Sequence, residues 1–388
     1  MRPVYLVSPP AVPAVTPRRW SFSSLAVFRE CPRRWWLLNS RYSNTPDGRY
    51  PVPYGAAALR GRLVHATVET YAKSLRTVGD DPSAPSFSPR VHLKKALREV
   101  MENAGANPRT DPRKLSVTID DCVRDFYDLV ESRELSHRRG VPSASGSRSQ
   151  SHSMNAPSEA AEFWVEVDDP PIAGIIDRVS DFGFIDFKTG EPSDSHAEQL
   201  NFYATLWWLR YGVLPRSLEL RYTGGVDPID VPVPPIAELK SIAEKLRIEL
   251  SEANASLATT LVPAKPSSTT CSRCPVRQMC DEYWVSPETV ALRSPRTSTS
   301  QNAGPTFCDA RILEFPANWP GTGHVTGSAR ADGLGEVHLF VEREKCPDEV
   351  SARPTEARLL SAMVHAGSGR PEVKTTAATE VFWVMPTT

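Results

Sequence analysis

Two aspartates and a lysine fall close together between Gly174 and Lys188, and these residue types can hold a divalent cation and act on water. Asp177 ends a short apolar run, and after a turn that contains Gly183 an alternating run presents Asp186 and Lys188. Residues two apart on a strand share a face, so this carboxylate and this ammonium are predicted to lie side by side. Two converging carboxylates suit Mg²⁺ or Mn²⁺, and a neighbouring lysine can orient and help to deprotonate a water. Such a site is suited to phosphodiester hydrolysis.

The hairpin alone leaves a second interpretation open, because strands joined by a glycine-containing turn often carry aspartates merely for solvation. Its context adds two groups. Upstream, apolar periodicity predicts a helix over 55–75 that contains Gly61-Arg-Leu-Val-His65, although a histidine on a helix is more often structural than a ligand. Downstream, Gln199 and Tyr203 are one helical turn apart and share a face. Alone, that pair indicates ordinary helix surface.

In order, the patterns Gly-x-x-x-His, Gly-x-x-Asp, Asp-x-Lys-Thr-Gly and Gln-x-x-x-Tyr resemble the RecB-like branch of the PD-(D/E)XK nuclease superfamily. The resemblance implies an α/β fold with a restriction-endonuclease-like core, in which helices flank a mixed central sheet. It also implies a role for each motif residue: His65, Asp177, Asp186 and the Phe187 backbone carbonyl would bind Mg²⁺ or Mn²⁺, Lys188 would act on the attacking water, and Gln199 and Tyr203 would position the DNA.

Two details qualify the resemblance. Ile176 stands where the superfamily name places a proline, as is common in the RecB-like branch. Glu166, on the preceding strand, is a possible assisting carboxylate, and the alternative is an exposed glutamate with no part in the chemistry.

The cysteines form a second candidate site. There are seven, an odd number, and no positively charged start precedes an apolar core, so neither secretion nor a disulfide framework is indicated. Cys271, Cys274 and Cys280 are closely spaced, and zinc and iron–sulfur sites usually take four thiolates. Cys31 is the predicted fourth ligand. The remaining cysteines, Cys122, Cys308 and Cys346, are expected to be ordinary, partly buried thiols.

One distant N-terminal cysteine joined to three close C-terminal ones resembles the iron–sulfur staple of AddB and of the CRISPR-associated RecB-like exonucleases. This resemblance implies a four-iron, four-sulfur cluster on Cys31, Cys271, Cys274 and Cys280. Zinc remains the alternative, because the spacing also permits it. Either group would clamp the two ends of the domain together.

Composition divides the chain into segments, and its 36 prolines concentrate in the predicted loops and linkers. The expected organisation is an N-terminal arm at 1–20, a nuclease domain at 21–285 with a flexible insertion at 136–158, a linker at 286–305 and a β-rich C-terminal domain at 306–388. Short strands with glycine turns suit a small barrel, and an oligonucleotide-binding (OB)-like fold is one possibility. A structural cap or protein-docking domain is the other.

The predicted elements follow from apolar periodicity and turn residues. A helix is expected from a cap at Ser21 or Ser23 through Cys31 toward Leu38. Further helices are expected at 91–104, 115–133, 235–257 and 355–366, and strands at 217–233, 306–315, 323–331, 336–342 and 379–384.

The formal net charge of −1 indicates no general attraction to nucleic acid. Local charge differs, because arginines at 18, 19, 29, 33, 34 and 41 surround Trp20, Trp35 and Trp36. Arginines interleaved with aromatic rings are typical of single-strand binding. The alternative is that Trp35 and Trp36 pack beneath the cysteine cluster and the arginines are solvated.

The resemblance therefore implies a divalent-metal-dependent DNA exonuclease that favours single-stranded ends, acting in DNA repair, recombination or CRISPR adaptation. The alternatives are a non-cleaving iron–sulfur scaffold subunit of a helicase-nuclease or repair complex, and a redox sensor whose cluster regulates DNA binding. The expected partner is DNA. A helicase, CRISPR or repair protein is a possible second partner, because relatives often act beside a helicase, and the chain shows no Walker-type phosphate loop of its own. A cytoplasmic location without a membrane partner is expected.

Overall fold

The computed structural model describes residues 5–43, 45, 48–78, 87–107, 109–110, 115–137, 156–295, 306–316, 324–346, 354–365 and 369–384. They form two compact units. The central unit contains Pro17–Leu25 and Pro53–Asn254, and the terminal unit contains the described parts of Met1–Thr16, Ala26–Val52 and Ala255–Thr388. No helix of the described residues is long and apolar enough to cross a membrane.

Helices and strands alternate in the first two thirds of the chain, and strands dominate the last third. The helices are α1 (Phe22–Glu30), α2 (Pro32–Asn39), α3 (Ala56–Val78), α4 (Pro89–Ala106), α5 (Ile119–His137), α6 (Asp194–Tyr211), α7 (Ile236–Leu257), α8 (Ser268–Ser272), α9 (Asp281–Val285) and α10 (Val290–Arg293). The strands are β1 (Tyr5–Val7), β2 (Glu159–Asp168), β3 (Pro171–Ser180), β4 (Gly183–Lys188), β5 (Leu218–Tyr222), β6 (Ile229–Val231), β7 (Thr306–Glu314), β8 (Val325–Ala331), β9 (Gly335–Val341), β10 (Glu356–His365), β11 (Glu372–Lys374) and β12 (Glu380–Val384).

The central unit is built on a five-stranded sheet in the order β2-β3-β4-β5-β6, in which β4 and β5 are parallel and the other neighbours are antiparallel. Its middle strand β4 is covered on both faces. Ile185 and Phe187 join the apolar cluster of α3, α4 and α5, whereas the Phe184 ring lies 5.0 Å from the Trp207 ring of α6. All residues of β4 except Lys188 are buried, as expected of a strand that is covered on both faces. The mixed sheet and its flanking helices confirm the predicted α/β core.

The hairpin of β3 and β4 turns through Asp181 and Phe182, which have φ of 48° and 63°. Such paired positive φ values suit a two-residue hairpin turn. Gly183, which the sequence places in the turn, is instead the first residue of β4. A Cβ on this glycine would lie 2.2 Å from Ser217 Oγ, so the residue permits a close approach between neighbouring segments rather than the turn itself.

The terminal unit contains the predicted β-rich C-terminal region. Strands β7, β8, β9, β11 and β10 pair in that order, and β10 returns to pair with β7, which closes a five-stranded circuit. The pairing of β9 with β11 is parallel, and the others in the circuit are antiparallel. Apolar side chains of these strands fill the interior in one cluster. Strand β12 pairs with β10 at 356–360, ahead of the part at 363–365 that pairs with β11, and β1 pairs with β12.

The predicted helix over 355–366 is wrong, because this segment is strand β10. Its alanine, leucine, arginine and methionine residues favour a helix locally. Three neighbouring strands, β7, β11 and β12, nevertheless pair with it, and such long-range pairing overrides local propensity. The short strands β1 and β11 were not predicted.

The N-terminal segments also differ from expectation. The segment predicted as an N-terminal arm at 1–20 is packed into the fold, because β1 pairs with β12 and Val12 bridges to Arg41. The predicted continuous helix toward Leu38 is broken between α1 and α2 at Cys31, whose φ of −161° is extended. Pro32 explains the break, since proline disfavours the helical conformation in the residue before it.

Two predicted flexible segments are only partly described. In the insertion at 136–158, residues 138–155 lie outside the described residues. In the linker at 286–305, residues 296–305 lie outside them, and the described part contains the short helix α10. Residues 255–285, which the sequence-based boundary assigns to the nuclease domain, lie in the same compact unit as the C-terminal strands.

Candidate functional site

The central unit brings together His65 of α3, Glu162 of β2 and Asp177 of β3. Each offers one ligand atom, and these atoms lie within 4.8 Å of one another. His65 Nδ1 is 3.6 Å from Asp177 Oδ2. All three residues are partly exposed rather than sealed in the core. One imidazole nitrogen and two carboxylates form a donor set that suits a hard divalent cation.

Asp177 lies on β3 immediately before the residues that pair with β4. The pair nearest to it in that β3–β4 ladder is Arg178 with Ile185. Beyond it, the Asp177 carboxylate accepts the backbone N–H of Phe187 at 2.8 Å. This hydrogen bond satisfies a donor of the middle strand and fixes the carboxylate next to β4.

A second chain of polar contacts runs from β4 into α6. Lys188 Nζ lies 2.5 Å from Asp186 Oδ2 and donates to Gln199 Oε1 at 2.9 Å. Gln199 Nε2 in turn donates to Tyr203 Oη at 2.7 Å. Among the described residues, the group of converging ligand atoms consists of His65, Glu162 and Asp177 and does not include Asp186. The Asp186 carboxylate contacts Lys188 instead.

Burial shapes the electrostatics of this site. It raises the pKa of both Asp177 and Asp186, and the charge of Asp177 raises the pKa of Asp186 further, while Lys188 opposes both shifts. Burial also lowers the pKa of His65. Two crowded carboxylates and a neutral imidazole are the state that a divalent cation would stabilise, because it offsets the negative charge and accepts a nitrogen lone pair.

Two motif glycines permit close approaches in this site. A Cβ on Gly174 would lie 2.7 Å from Tyr203 Cε1, so the tyrosine ring of α6 rests directly on the backbone of β3. A Cβ on Gly61 would lie 2.7 Å from Thr189 Oγ1, which follows Lys188. These contacts give a physical reason for glycine in Gly-x-x-Asp and Gly-x-x-x-His.

Glu162 was missed by the sequence analysis. It has a positive φ of 48° within β2, an uncommon conformation for a residue with a side chain. Glu166, the glutamate that the sequence suggested, ion-pairs with Arg19 at 3.2 Å and does not belong to the converging group. The register of β2 against β3 pairs Ala161 with Arg178 and Phe163 with Ile176, so Glu162 lies level with Asp177 and Glu166 does not.

A histidine and a tyrosine beside Lys188 were also missed. His196 Nδ1 is 2.8 Å from Tyr222 Oη, and Tyr222 is the β5 partner of Lys188 in the parallel ladder. Burial lowers the pKa of His196, and the charge of Lys188 lowers it further. The imidazole is therefore neutral at neutral pH and offers polar atoms beside the lysine.

The terminal unit holds a second candidate site. Cys31, Cys271, Cys274 and Cys280 line one cavity, although Cys31 lies far from the others in sequence. Cys31 occupies the break between α1 and α2, and the other three lie in or beside short helical turns, α8 and α9 among them. Three arginines, Arg33, Arg34 and Arg277, line the same cavity.

The donor set fits a tetrathiolate centre. Burial raises the pKa of Cys274 to about 11 and that of Cys280 to about 12, and it raises the pKa of Cys271 as well. Backbone amides of Val276 and Tyr283 oppose the shifts at Cys274 and Cys280, respectively, as does the charge of nearby arginines. Such N–H and arginine groups would stabilise thiolates once a metal replaced their protons.

The remaining cysteines lie apart from this cavity. Cys122 is buried in the apolar cluster of α3, α4 and α5. Cys308 and Cys346 are buried inside the five-stranded circuit of the terminal unit. They are more fully buried than the sequence analysis expected, but they are ordinary core thiols.

The predicted stacking surface around the N-terminal tryptophans is wrong. Trp20 and Trp35 are buried, and Trp36 packs against the cluster that contains Cys271 and Cys274. Several of the accompanying arginines are engaged within the fold: Arg19 pairs with Glu166, Arg33 with Glu282 and Arg34 with Glu30.

Comparison with known proteins supports the interpretation of the central unit. A family model of the PD-(D/E)XK nuclease superfamily matches residues 19–281. No curated protein sequence matches the chain.

Several solved structures show a weak similarity. A murine DNA-binding protein bound to double-stranded DNA is 13% identical over 26% of this chain and 51% of its own, with a TM-score of 0.20. The Ifi202 HINa domain in complex with 20-base-pair double-stranded DNA is 10% identical over 25% and 50%, with a TM-score of 0.18. The OB domain of a Methanosarcina mazei protein is 14% identical over 22% and 78%, with a TM-score of 0.17. The chain thus spans about half of the first two structures, and such scores do not indicate a shared fold.

Proposed function

The chain belongs to the PD-(D/E)XK nuclease superfamily, and from that premise we propose that it is a divalent-metal-dependent DNA exonuclease that favours single-stranded ends. Members of this superfamily are generally nucleases that use divalent metals such as Mg²⁺ or Mn²⁺. One observation carries the proposal most directly. Ligand atoms of His65, Glu162 and Asp177 converge beside the pair formed by Asp186 and Lys188.

The metal would be held by His65, Glu162 and Asp177, whose ligand atoms converge. The family motif adds Asp186 and the Phe187 carbonyl as further ligands, although the Asp186 carboxylate contacts Lys188 in this structure. A bound Mg²⁺ or Mn²⁺ supplies an acidified water and stabilises charge on the phosphate. The donors fit these ions, because carboxylate oxygens predominate among them. The charge of Asp177 also raises the pKa of Asp186, and a bound cation would offset this repulsion.

Lys188 is proposed to orient the attacking water. Its ammonium is held from two sides, by Asp186 at 2.5 Å and by Gln199 at 2.9 Å, so few of its positions are accessible. Tyr203 fixes Gln199 in turn. A cation held in one place stabilises developing negative charge without reorganising during the reaction. Gln199 and Tyr203 are therefore proposed to act by positioning Lys188 as well as the DNA strand.

Glu162 belongs to the converging ligand group but not to the sequence motif, so its substitution tests the metal site seen in the structure. Glu162→Gln is expected to weaken Mn²⁺ binding by roughly tenfold or more, because it removes one of the converging carboxylates. Isothermal titration of the DNA-free protein with Mn²⁺ measures this. Glu166→Gln is the matched control on the same strand, since Glu166 pairs with Arg19 instead. Equal affinity in the two variants would remove Glu162 from the ligand set.

For the terminal unit we propose a four-iron, four-sulfur cluster bound by Cys31, Cys271, Cys274 and Cys280. The common cavity and its arginines support a tetrathiolate centre. The family resemblance favours an iron–sulfur cluster over zinc. Measurement of iron, acid-labile sulfide and zinc in anaerobically purified protein distinguishes the two centres. The cluster is assigned a structural role.

The C-terminal region is proposed to be OB-like. Numbered from β7 to β11, the strands of the circuit pair in the order 1-2-3-5-4-1. This order, together with the parallel pairing of the third and fifth strands, agrees with a five-stranded Greek-key barrel.

A helicase, CRISPR or repair partner and a cytoplasmic location remain part of the proposal.

Linear and circular substrates test the exonuclease proposal. Linear single-stranded DNA labelled at either end and circular single-stranded DNA of the same sequence are incubated with Mg²⁺ or Mn²⁺. Loss of the linear substrate from an end, with the circle intact and duplex DNA degraded more slowly, is expected. Cutting of the circle would make the enzyme an endonuclease. Binding of DNA without cleavage by cluster-replete protein would favour the scaffold alternative.

A further inference from the structure

An exposed apolar pair lies next to the metal-ligand cluster of the central unit. Trp164 of β2 is 55% exposed, and Ile175 of β3, which is its direct partner across the strands, is 41% exposed. Trp20 and Trp207 of the same unit are fully buried, and Trp208 is half-buried. Leaving a large aromatic ring in water forgoes the stabilisation that its burial would give, so an exposed pair of this kind indicates a binding surface.

The position of neighbouring residues shows which face of the sheet carries this pair. The Phe163 ring is 6.2 Å from the Trp207 ring of α6, so Phe163 points toward α6. Successive side chains of a strand point to opposite faces, so Trp164 points away from α6. That is the face on which α3 packs through the apolar cluster shared with β4, and α3 carries His65.

The pair is also close to the candidate metal ligands along both strands. Glu162 lies two residues before Trp164, and Asp177 lies two residues after Ile175. Two residues of a strand span about 7 Å. Trp164 therefore lies about 7 Å along β2 from Glu162, and Ile175 lies about as far along β3 from Asp177.

The Trp164 indole is oriented by a hydrogen bond to a neighbouring side chain. Its Nε1 donates to Glu166 Oε2 at 3.2 Å. The same Glu166 oxygen pairs with Arg19 at 3.2 Å, and Arg19 is largely buried. A ring held in this way loses little conformational freedom on binding, which favours affinity.

We propose that Trp164, supported by Ile175, is a stacking surface for an unpaired base of the DNA strand whose phosphate occupies the neighbouring site. This inference rests on the proposed nuclease function and specifies its substrate preference. Every base has a π-face, so stacking on tryptophan is tolerant of sequence. A base inside a duplex is already stacked and paired, so the same surface discriminates against double-stranded DNA.

The size of the patch favours a base over a protein partner. A stable protein interface buries about 800 Å² on each partner. One aromatic side chain provides about 150–250 Å², and Ile175 adds a smaller area. Two side chains suit the face of one base, and their continuity with the ligand cluster indicates which molecule supplies it.

Binding without hydrolysis tests the proposal. The anisotropy of a labelled oligothymidine is measured with full-length protein in chelator, for wild type, Trp164→Ala, Trp164→Phe and Ile248→Ala. Trp164→Ala is expected to bind the single strand roughly tenfold more weakly, with duplex affinity changed less than about twofold. Trp164→Phe is expected to retain most of the affinity. Ile248, an equally exposed apolar residue on α7, is the matched control and is expected to behave as wild type.

Two results would overturn the proposal: wild-type affinity of Trp164→Ala for the single strand, or equal losses for single-stranded and duplex DNA. Thermal unfolding of each variant checks that the fold persists, and Trp164→Phe keeps the test valid if the alanine variant is unstable. Parallel cleavage assays separate the two claims. Cleavage by wild type with no effect at Trp164 contradicts only the stacking surface, whereas Trp164-dependent binding without any cleavage contradicts only the nuclease.

Discussion

Lys188→Ala is expected to lower the rate of DNA hydrolysis roughly 10²–10⁴-fold while leaving the fold intact, because positioned proton-transfer groups contribute about that much. The substitution removes the ammonium that lies between Asp186 and Gln199. Asp186 then remains buried beside Asp177 without the cation that opposes its raised pKa. The carboxylate is more easily protonated, and the water loses the group that orients it.

Single-turnover hydrolysis of labelled single-stranded DNA measures this effect, with binding in chelator measured in parallel. Lys245→Ala removes an exposed lysine of α7 and is the matched control. Binding by Lys188→Ala is expected to remain within a few-fold of wild type. Hydrolysis by Lys188→Ala at the rate of the Lys245→Ala control would show that Lys188 has no part in the reaction.

Cys274→Ala is expected to remove the bound metal centre and to lower the melting temperature of the terminal unit by roughly 10 °C, corresponding to a loss of about 3–5 kcal/mol. Cys274 belongs to an apolar cluster that also contains Leu360 of β10 and Phe382 of β12. The cysteine-bearing turns and the C-terminal strands thus share one core. Loss of the metal centre is therefore expected to destabilise strands β10 and β12 as well.

Buried polar contacts strengthen this coupling within the terminal unit. Arg277 and Tyr283, which line the cysteine cavity, both bond to Asp309 of β7, at 2.7 Å each. Arg358 of β10 donates to the Gln278 carbonyl at 2.6 Å. Breaking a buried network of this kind leaves unpaired polar groups and is costly.

Metal analysis and thermal unfolding of purified Cys274→Ala measure the prediction. Cys346→Ala is the matched control, since Cys346 is a buried thiol of the same unit that does not line the cavity. It is expected to keep a full complement of metal. Unchanged metal content in Cys274→Ala would contradict the assignment of this cysteine as a ligand.

Local patterns predicted the parts of the fold that depend on neighbouring residues. The spacing of Gln199 and Tyr203 predicted a shared helix face, and the two side chains are hydrogen-bonded. Alternation around Asp186 and Lys188 predicted their proximity on one strand, and the two charges are in contact. Such periodicities are properties of single elements and need no tertiary information.

Features that depend on pairing between distant segments could not be predicted in this way. The metal-ligand candidate Glu162 is distinguished from Glu166 by the register of β2 against β3. Strand β10 has a helical composition and becomes a strand because three strands pair with it. The tryptophans also show this limit: sequence left open whether Trp20, Trp35 and Trp36 form a stacking surface, and Trp20 and Trp35 are buried whereas Trp164 is exposed.

Degradation of labelled single-stranded DNA by anaerobically purified, full-length protein tests the central claim most directly. The reaction is followed with Mg²⁺, with Mn²⁺ and with chelator, for wild type and Asp177→Asn. The predicted result is hydrolysis by wild type that requires the metal and is lost in Asp177→Asn, because the Asp177 carboxylate converges with His65 and Glu162 on the proposed metal site. Hydrolysis that persists in chelator, or that is equal in the variant, would contradict the assignment of this site.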